Sequence, residues 1–543
     1  MTEDSRIAVI DATAAGKGKR TFTREAIGAG TRSICGVLEK HHVPAKIFLV
    51  EEILAKGFPE EFTTLFLSGM SMDKTAIRKA IALWRKDHFG KVVVGGPITS
   101  ELLSALTTTM ADIIVIGEGE LTLEELLTKG CLNGRNDNSF AGLLEQINGI
   151  GFFSTDGKPK LTQFRRYSTR EEFRAFQAST ARITDYPNYF SAKVYVEVVR
   201  GCSNFGGTRL RLPDGRQCIE CGACDGGSLE RRAQCPSKIP PGCGFCSVPS
   251  LFGPARSRTI NSITHEIAEL LDLGVKRIVL SAPGFLDFGR EELVHPKPLI
   301  NPSKPPANLQ KIEELLSAVT AIKKVAQQKV WVEIENVKAA LFTEAVARII
   351  AKYLPHSPLS IGCETGSSEH ARLLGRSSDP QEALRAVKIA HKHGLRPHVY
   401  FIHSLPGQNK KTATETAQLM KKMVPYIEKV TIYRFRPLPL SAFSEFPLPP
   451  AAMKDPASKI IAETANSVNF QKKRNYLGTI VRVIISEPSF KDKTGAMASI
   501  LSGGPMVAIK NANERIGEIV DVRIRKVLSD KLLYGEILGE KDD

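Results

Sequence analysis

The chain has 543 residues, 42% hydrophobic and 24% charged, with a formal net charge of +16 and ten cysteines. That length exceeds what a single core of about 250–300 residues supports, so several domains are expected. No apolar run reaches the roughly 18 residues a membrane span needs, and the start MTEDSRIAVI lacks a secretory pattern. A cytoplasmic location with no membrane partner is therefore expected, where thiols stay reduced and clustered cysteines bind metal rather than pair. Lys and Arg are spread without a basic block, so charge suits RNA, an acidic protein or a small anion equally.

Residues 1–135 alternate short apolar runs, AVI (8–10), KIFLV (46–50), TLFL (64–67), KVVVGG (91–96) and DIIVIG (112–117), with amphipathic stretches such as KTAIRKAIALWRK. This predicts an α/β, doubly wound, Rossmann-like domain, whose ligand lies beyond the carboxyl ends of its strands. The turns there hold Ser68, Gly69, Met70 and Ser71, then Gly95, Gly96 and Pro97, then Gly117, Glu118 and Gly119. Residues 136–192 read as a linker. From 193 to 445, six strand candidates (YVEVV, RIVLSA, VWVEIEN, LSIGCET, HVYFIHS and KVTIYRF) with helices between them predict a partial (β/α)6 TIM-type barrel. In VWVEIEN, Glu333 and Glu335 alternate with apolar neighbours, which leaves open an inward carboxylate or a solvated pair. Residues 446–475 read as a linker and helix. The strands of 476–543 predict a small, OB-like β-barrel.

Seven of the ten cysteines fall between 202 and 246. RGC (200–202) follows a strand, and PGCGFCSVP (241–249) comes forty residues later. With the insert 203–242 set aside, the pattern RGC…CxFCxxP resembles the cluster motif of radical S-adenosylmethionine enzymes. The resemblance implies that Cys202, Cys243 and Cys246 bind a [4Fe–4S] cluster, one iron being left open for S-adenosylmethionine. The family normally places three residues between the first two cysteines, not forty. The insert holds Cys218, Cys221, Cys224 and Cys235, a set suited to a second cluster, a single iron or zinc, and spacing does not choose among them.

The likeness continues downstream. IGCETGSSEHARLLGR (361–376) resembles the family's fourth-strand motif, implying that Glu364 and Arg376 hold S-adenosylmethionine. FIHSLPGQNKKT (401–412) resembles a later family stretch, with Ser404 at a usual glycine and Asn409 at a usual acid. Cys363 reads as a buried small residue or a thiol facing substrate. KVVVGGPITS…ADIIVIGEGELTLEELL (91–127) resembles the cobalamin-binding domain of the cobalamin-dependent, class B members, which implies cobalamin contacts in the three glycine-containing turns. Thr13 stands where classical cobalamin proteins place a cobalt-ligating His, so a base-off cobalamin without a His ligand is implied.

The family's mechanism would cleave S-adenosylmethionine to a 5′-deoxyadenosyl radical and methylate an unactivated sp3 carbon from methylcobalamin, drawing on an electron donor for the cluster. The domain order resembles the methanogen family that C-methylates a glutamine of methyl-coenzyme M reductase, implying a protein substrate. The alternative is a tRNA methylthiotransferase-like enzyme, whose TRAM domain the tail resembles and which would bind RNA. That family carries three N-terminal cluster cysteines, whereas only Cys35 and Cys131 occur before residue 202 here.

Overall fold

A computed structural model describes residues 6–20, 25–132, 138–224, 227–489, 492–529 and 532–539. The chain divides into two compact units, residues 1–189 with 194–196 and 261–275, and residues 190–193 with 197–260 and 276–543.

The first unit is built on β1 (Ile7–Asp11), β2 (Ala45–Leu49), β3 (Thr64–Ser68), β4 (Val92–Gly95), β5 (Ile113–Val115), β6 (Ile150–Phe153) and β7 (Pro159–Leu161), in the order β2-β1-β3-β4-β5-β6-β7. The first five are parallel. The order 2-1-3-4-5 is that of flavodoxin-like sheets, in which the chain reverses direction between β1 and β3 and opens a ligand crevice there. One face of the sheet packs Ala8, Ile10, Leu65, Leu67, Val92 and Val94 against Ala76, Ile77, Ala80, Ile81 and Trp84 of the helix Lys74–Asp87. Those helical positions repeat every three to four residues, which is why KTAIRKAIALWRK folds as an amphipathic helix.

The expected linker 136–192 is corrected. Ile150–Phe153 and Pro159–Leu161 extend the sheet as antiparallel strands, and the compact unit runs to Tyr189. Its strands are only four and three residues long, too short to show a period of two.

β8 (Lys193–Glu197) is shared between the two units, and the second unit holds a two-residue ribbon of β9 (Val199–Arg200) with β10 (Arg256–Ser257), β11 (Arg277–Ser281), β12 (Trp331–Ile334), β13 (Pro358–Glu364), β14 (Arg396–His403) and β15 (Lys429–Arg434). β11 pairs parallel with β12, and β13, β14 and β15 form a parallel run. The Val198 amide bonds to Ser281, and a parallel bridge joins Val337 to Ile361, so the strands follow one another in an arc. The arc's last edge is covered. The Asn469 side chain accepts from Val430 N at 2.9 Å and donates to Val430 O at 2.7 Å. Asn469 lies in the helix Pro456–Arg474, within the stretch 446–475 expected as linker and helix.

The tail closes into a five-stranded barrel of β16 (Ile480–Pro488), β17 (Ala496–Ile500), β18 (Met506–Ile509), β19 (Ile519–Val527) and β20 (Leu532–Ile537), in the order β16-β17-β18-β20-β19. β17, AMASI, was not expected, because its small residues carry little strand signal. Arg396, at the amino end of β14, holds this module. It donates to Tyr476 Oη at 2.8 Å, to Glu428 at 2.9 Å and to Ser502 Oγ. Gly503 packs beneath, where a Cβ would lie 2.8 Å from His398.

Candidate active site

Barrel chemistry belongs at the carboxyl ends of the strands, and three of the seven clustered thiols lie there together. The Asn204 backbone N–H donates to Cys202 Sγ at 3.4 Å, and its side-chain amide donates to Cys243 Sγ at 3.3 Å and Gly375 O at 3.0 Å. Cys246 closes a turn onto Cys243 O. Burial, then Cys243 and Cys202 beside it, push the Cys246 thiol up to about 12. Two glycines permit the approach. At Gly201, whose φ is +80°, a Cβ would lie 2.3 Å from Pro254 O, and at Gly244 it would strike the Phe443 ring at 2.3 Å.

Arg376 links this group to Glu364. Its guanidinium lies 3.5 Å from Cys243 Sγ, 3.6 Å from Glu364 Oε1 and 2.8 Å from Gly362 O. Burial opposes its charge, but Cys243 and Glu364 hold its pKa above the ordinary value. Glu364 sits at φ +69°, a left-handed conformation costing a non-glycine residue about 1–3 kcal/mol. Its carboxylate fills the space where a Cβ on Gly362 would lie, 2.6 Å from Oε1. Burial raises its pKa and Arg376 only partly offsets this. Sequence reasoning paired Glu364 with Arg376, and the structure brings the two together.

Beneath Cys202 lies a network that sequence reasoning missed. Asp287, fully buried, pairs with Arg290 at 2.5 Å and with Lys338, and accepts from Ser203 Oγ at 2.9 Å. Burial disfavours these charges, but the partners outweigh it, lowering the Asp287 pKa and raising that of Lys338. SAPGFLDFG contains Asp287 and Arg290 follows that stretch directly, yet Ser203 and Lys338 lie on two remote segments, which no local spacing reveals.

The other marked positions resolve singly. Cys363 is buried with its Sγ on Thr365 O at 3.2 Å, so it does not face an open site. Asn409 caps the helix Lys410–Met423 by accepting from Thr412 N. Ser404, at φ +61° where glycine is usual, shares hydrogen bonds with His403 and, at 2.8 Å, with Ser458. Glu333 pairs with Lys193 at 2.5 Å, and Glu335 accepts from Ser281 at 3.0 Å, so neither belongs to a solvated pair.

The insert is footed rather than loose. Leu212 and Ile239 are buried with Leu374, Leu405 and Phe443. Cys221 is exposed, Cys218 and Cys224 are half-buried and Cys235 is buried. Burial raises the Cys235 thiol, but backbone N–H groups of Ile239, Ser237 and Lys238 outweigh it and lower its pKa. Among the described residues no three His, Cys, Asp or Glu side chains close around a single ion. The four insert thiols do not form a closed site as they stand, and no step is drawn through them.

In the first unit, the marked turns follow β3, β4 and β5 on one rim. Asp73, buried and not marked from sequence, ties the β1 and β3 loops together by accepting from Ala14 N (2.9 Å), Gly16 N (2.7 Å) and Met70 N (2.9 Å). Met70 and Met72 are exposed. Gly96 has φ +81°, with Ser68 Oγ 2.8 Å from a Cβ there, whereas Gly95 faces open space. Glu118 is occupied, accepting from Ser168 N at 2.8 Å. Thr13 is exposed, its N–H bonded to Asp11. Arg20 is buried against Asp11 and Glu51.

A family model for the radical SAM superfamily matches residues 234–420, and one for the TRAM domain matches 474–538. The first begins after Cys202, whose place beside Cys243 rests on the geometry above. An uncharacterized protein of Methanocaldococcus jannaschii is 42% identical over 98% of both chains. Another, from Methanopyrus kandleri, is 38% identical over 98% of this chain and 96% of its own. A Clostridium botulinum tRNA-2-methylthio-N(6)-dimethylallyladenosine synthase is 26% identical over 54% of this chain and 62% of its own. Among solved structures, the fold is similar to the radical S-adenosylmethionine methyltransferase TsrM of Kitasatospora setae, with cobalamin and a [4Fe–4S] cluster bound (TM-score 0.55, 13% identity, 81% of this chain, 76% of that one). It is also similar to the cobalamin-dependent S-adenosylmethionine radical enzyme OxsB (TM-score 0.54, 13% identity, 85% and 56%). No helix among the described residues is long and apolar enough to cross a membrane.

Proposed function

The chain belongs to the radical SAM superfamily, in one family with the full-length M. jannaschii and M. kandleri proteins, and from that premise we propose that it is a cobalamin-dependent C-methyltransferase. The observation that carries this is the rim group of Cys202, Cys243 and Cys246 under Asn204, with Arg376 and Glu364 beside it.

These residues fit a [4Fe–4S] cluster with bound S-adenosylmethionine. Cys202 and Cys243 receive N–H donors, and among the described residues Arg376 Nε has no partner and the Glu364 carboxylate is held by a 3.6 Å ion pair alone. When bound, the cluster supplies one-electron reduction of S-adenosylmethionine, and cobalamin carries the methyl group. Arg376 would meet the carboxylate of S-adenosylmethionine, and Glu364 its hydroxyl or ammonium donors. Asn204 holds two thiols at fixed spacing, and the Asp287–Lys338–Arg290 network keeps Cys202 from collapsing inward.

In the first unit, Ser68, Gly69, Met70, Ser71, Gly95, Gly96, Pro97, Gly117 and Gly119 would line the cobalamin, with Glu118 shaping its loop. The exposed Thr13 supplies no imidazole, which favours base-off cobalamin. An extended segment of a folding protein, with a glutamine of methyl-coenzyme M reductase as the specific case, is the proposed substrate. An electron donor is the further partner, and a cytoplasmic setting the proposed location. The tRNA reading keeps the TRAM match but lacks a third N-terminal cysteine, and Cys35 and Cys131 are both buried.

The test is anaerobic reconstitution with iron, sulfide and methylcobalamin, followed by quantification of iron, sulfide, zinc and cobalt per chain. One cobalamin with four irons, and methyl transfer from labelled S-adenosylmethionine to a reductase peptide, is expected. Absence of cobalamin uptake would overturn the reading and return RNA to the centre.

A further inference from the structure

The loops that follow β9, β11 and β12 meet beneath Cys202 and bring Ser203, Asp287 and Lys338 together. Ser203 Oγ donates to Asp287 at 2.9 Å and accepts from Lys338 Nζ at 2.5 Å and Arg290 at 3.3 Å, which fills its hydrogen-bonding capacity. Arg290 donates to Asp287 at 2.5 Å and turns its other N–H groups to Asn301 O and Pro305 O. Asp287 and Arg290 therefore neutralise each other, and the guanidinium is saturated.

Lys338 is the group left over. Two of its N–H groups go to Asp287 and Ser203, and the third has no partner among the described residues. A glycine leaves room for its stem: at Gly284 a Cβ would lie 2.9 Å from Lys338 Cε. The Asp287 and Arg290 side chains are 0% exposed and that of Lys338 11%, so one carboxylate faces two cations almost out of water. One positive charge is in surplus, and a buried charge without a counter-charge is costly.

Cys202 stands where that counter-charge would be, next in the chain to Ser203. Burial opposes the Lys338 charge, Asp287 supports it most, and Cys202 comes next. Burial likewise pushes the Cys202 thiol up, and Lys338 is the strongest influence pulling it back. The potential of an iron–sulfur cluster follows the net charge around it and the hydrogen bonds to its sulfurs.

We propose that Lys338 is the counter-ion of the Cys202 thiolate and a positioning residue for electron entry, its surplus positive charge favouring the reduced over the oxidised [4Fe–4S] cluster. One electron arrives from a low-potential one-electron donor, and no proton is taken up because Lys338 already carries its own. The negative charge at the three thiolates rises by one, and the surplus charge of the network offsets it. This deepens the proposed function and rests on it for the presence of the cluster.

The test is a redox titration of the anaerobically reconstituted full chain with dithionite and mediator dyes, the reduced cluster being read by electron paramagnetic resonance. Lys338→Met should make reduction about tenfold less favourable, a fall of about 59 mV in a one-electron midpoint potential. Lys338→Arg, which keeps the charge, should stay with the wild type. Ser203→Ala keeps the charge and loses the hydroxyl bridge, and should move the potential less than Lys338→Met does. If Lys338→Met takes up no iron, Lys338→Gln is titrated in its place and should show the same fall, since it keeps a donor without the charge. In the metal-free chain Lys338→Met should unfold at no lower a temperature than the wild type, because a neutral Asp287–Arg290 pair remains. A lower unfolding temperature there makes Lys338 a structural tie and overturns the proposal. So does an unmoved or raised potential in the uncharged variant, or an equal fall in Lys338→Arg. A wild-type chain that takes up no iron sinks the proposed function and this inference with it, whereas iron uptake with an unmoved potential sinks this inference alone.

Discussion

Arg376 and Glu364 stand 3.6 Å apart with their side chains only 13% and 12% exposed, and Glu364 has no other charged partner among the described residues. A pair this buried repays its desolvation only when further groups complete it. Cys243 and Gly362 complete the arginine side, whereas the carboxylate side stays open for a ligand. Arg376→Ala should therefore destabilise the fold by about 3–5 kcal/mol, by stranding Glu364. The double variant Arg376→Ala/Glu364→Gln should recover part of that loss in thermal unfolding, yet bind S-adenosylmethionine no better in dialysis.

In the first unit, Asp73 and the glycine pair 95–96 make separable predictions. Asp73→Ala leaves three backbone donors without an acceptor and should cost about 2–4 kcal/mol, less than three times the about 1–3 kcal/mol of a fully buried unsatisfied group because these donors are only partly buried. Gly96→Ala is strained by its positive φ and by Ser68, and should lower stability by about 1–2 kcal/mol. Gly95→Ala meets nothing in the protein. It should melt like the wild type and still lose cobalamin on gel filtration, because its methyl enters the space proposed for the corrin.

Glu335 gives a pH dependence. Burial raises its folded-state pKa above the ordinary value of 4.5. Below that value both folded and unfolded chains hold the proton. As pH rises, the unfolded chain ionises first and stability falls until the folded carboxyl ionises too. Glu335→Gln removes this term. Its stability relative to the wild type should rise as pH increases through and above 4.5 in urea unfolding, and a flat difference would contradict the burial argument.

The insert thiols predict a metal count. Replacing Cys218, Cys221, Cys224 and Cys235 together by Ser should leave the four irons assigned to Cys202, Cys243 and Cys246 in place. Leu212 and Ile239 keep the insert seated without metal, so the fold should survive. Loss of all iron would mean that the two sets are not independent.

Much of this was legible from local pattern. Every barrel strand expected from an apolar run is present, because each carries apolar residues at alternate or consecutive positions that the arc buries on its helix-covered face. Glu364 and Arg376 were findable because one motif spans both. Asn204, Asp73 and the Asp287–Lys338 pair were not, since each acts on residues remote in sequence. Asp73, for example, reads as an ordinary helix-start acid until the β1 loop folds over it. The short strands at 150–161 failed for a different reason: antiparallel segments of three or four residues carry no period that separates them from loop.

The Asn469 amide occupies both hydrogen-bonding groups of Val430 at the end of the strand arc, as a neighbouring strand would. An unpaired edge invites any extended chain to join the sheet. With this position already paired, an unfolded polypeptide cannot register itself there backbone to backbone. A peptide, if it is the substrate as proposed, would then have to be held at that edge by its side chains rather than by its main chain.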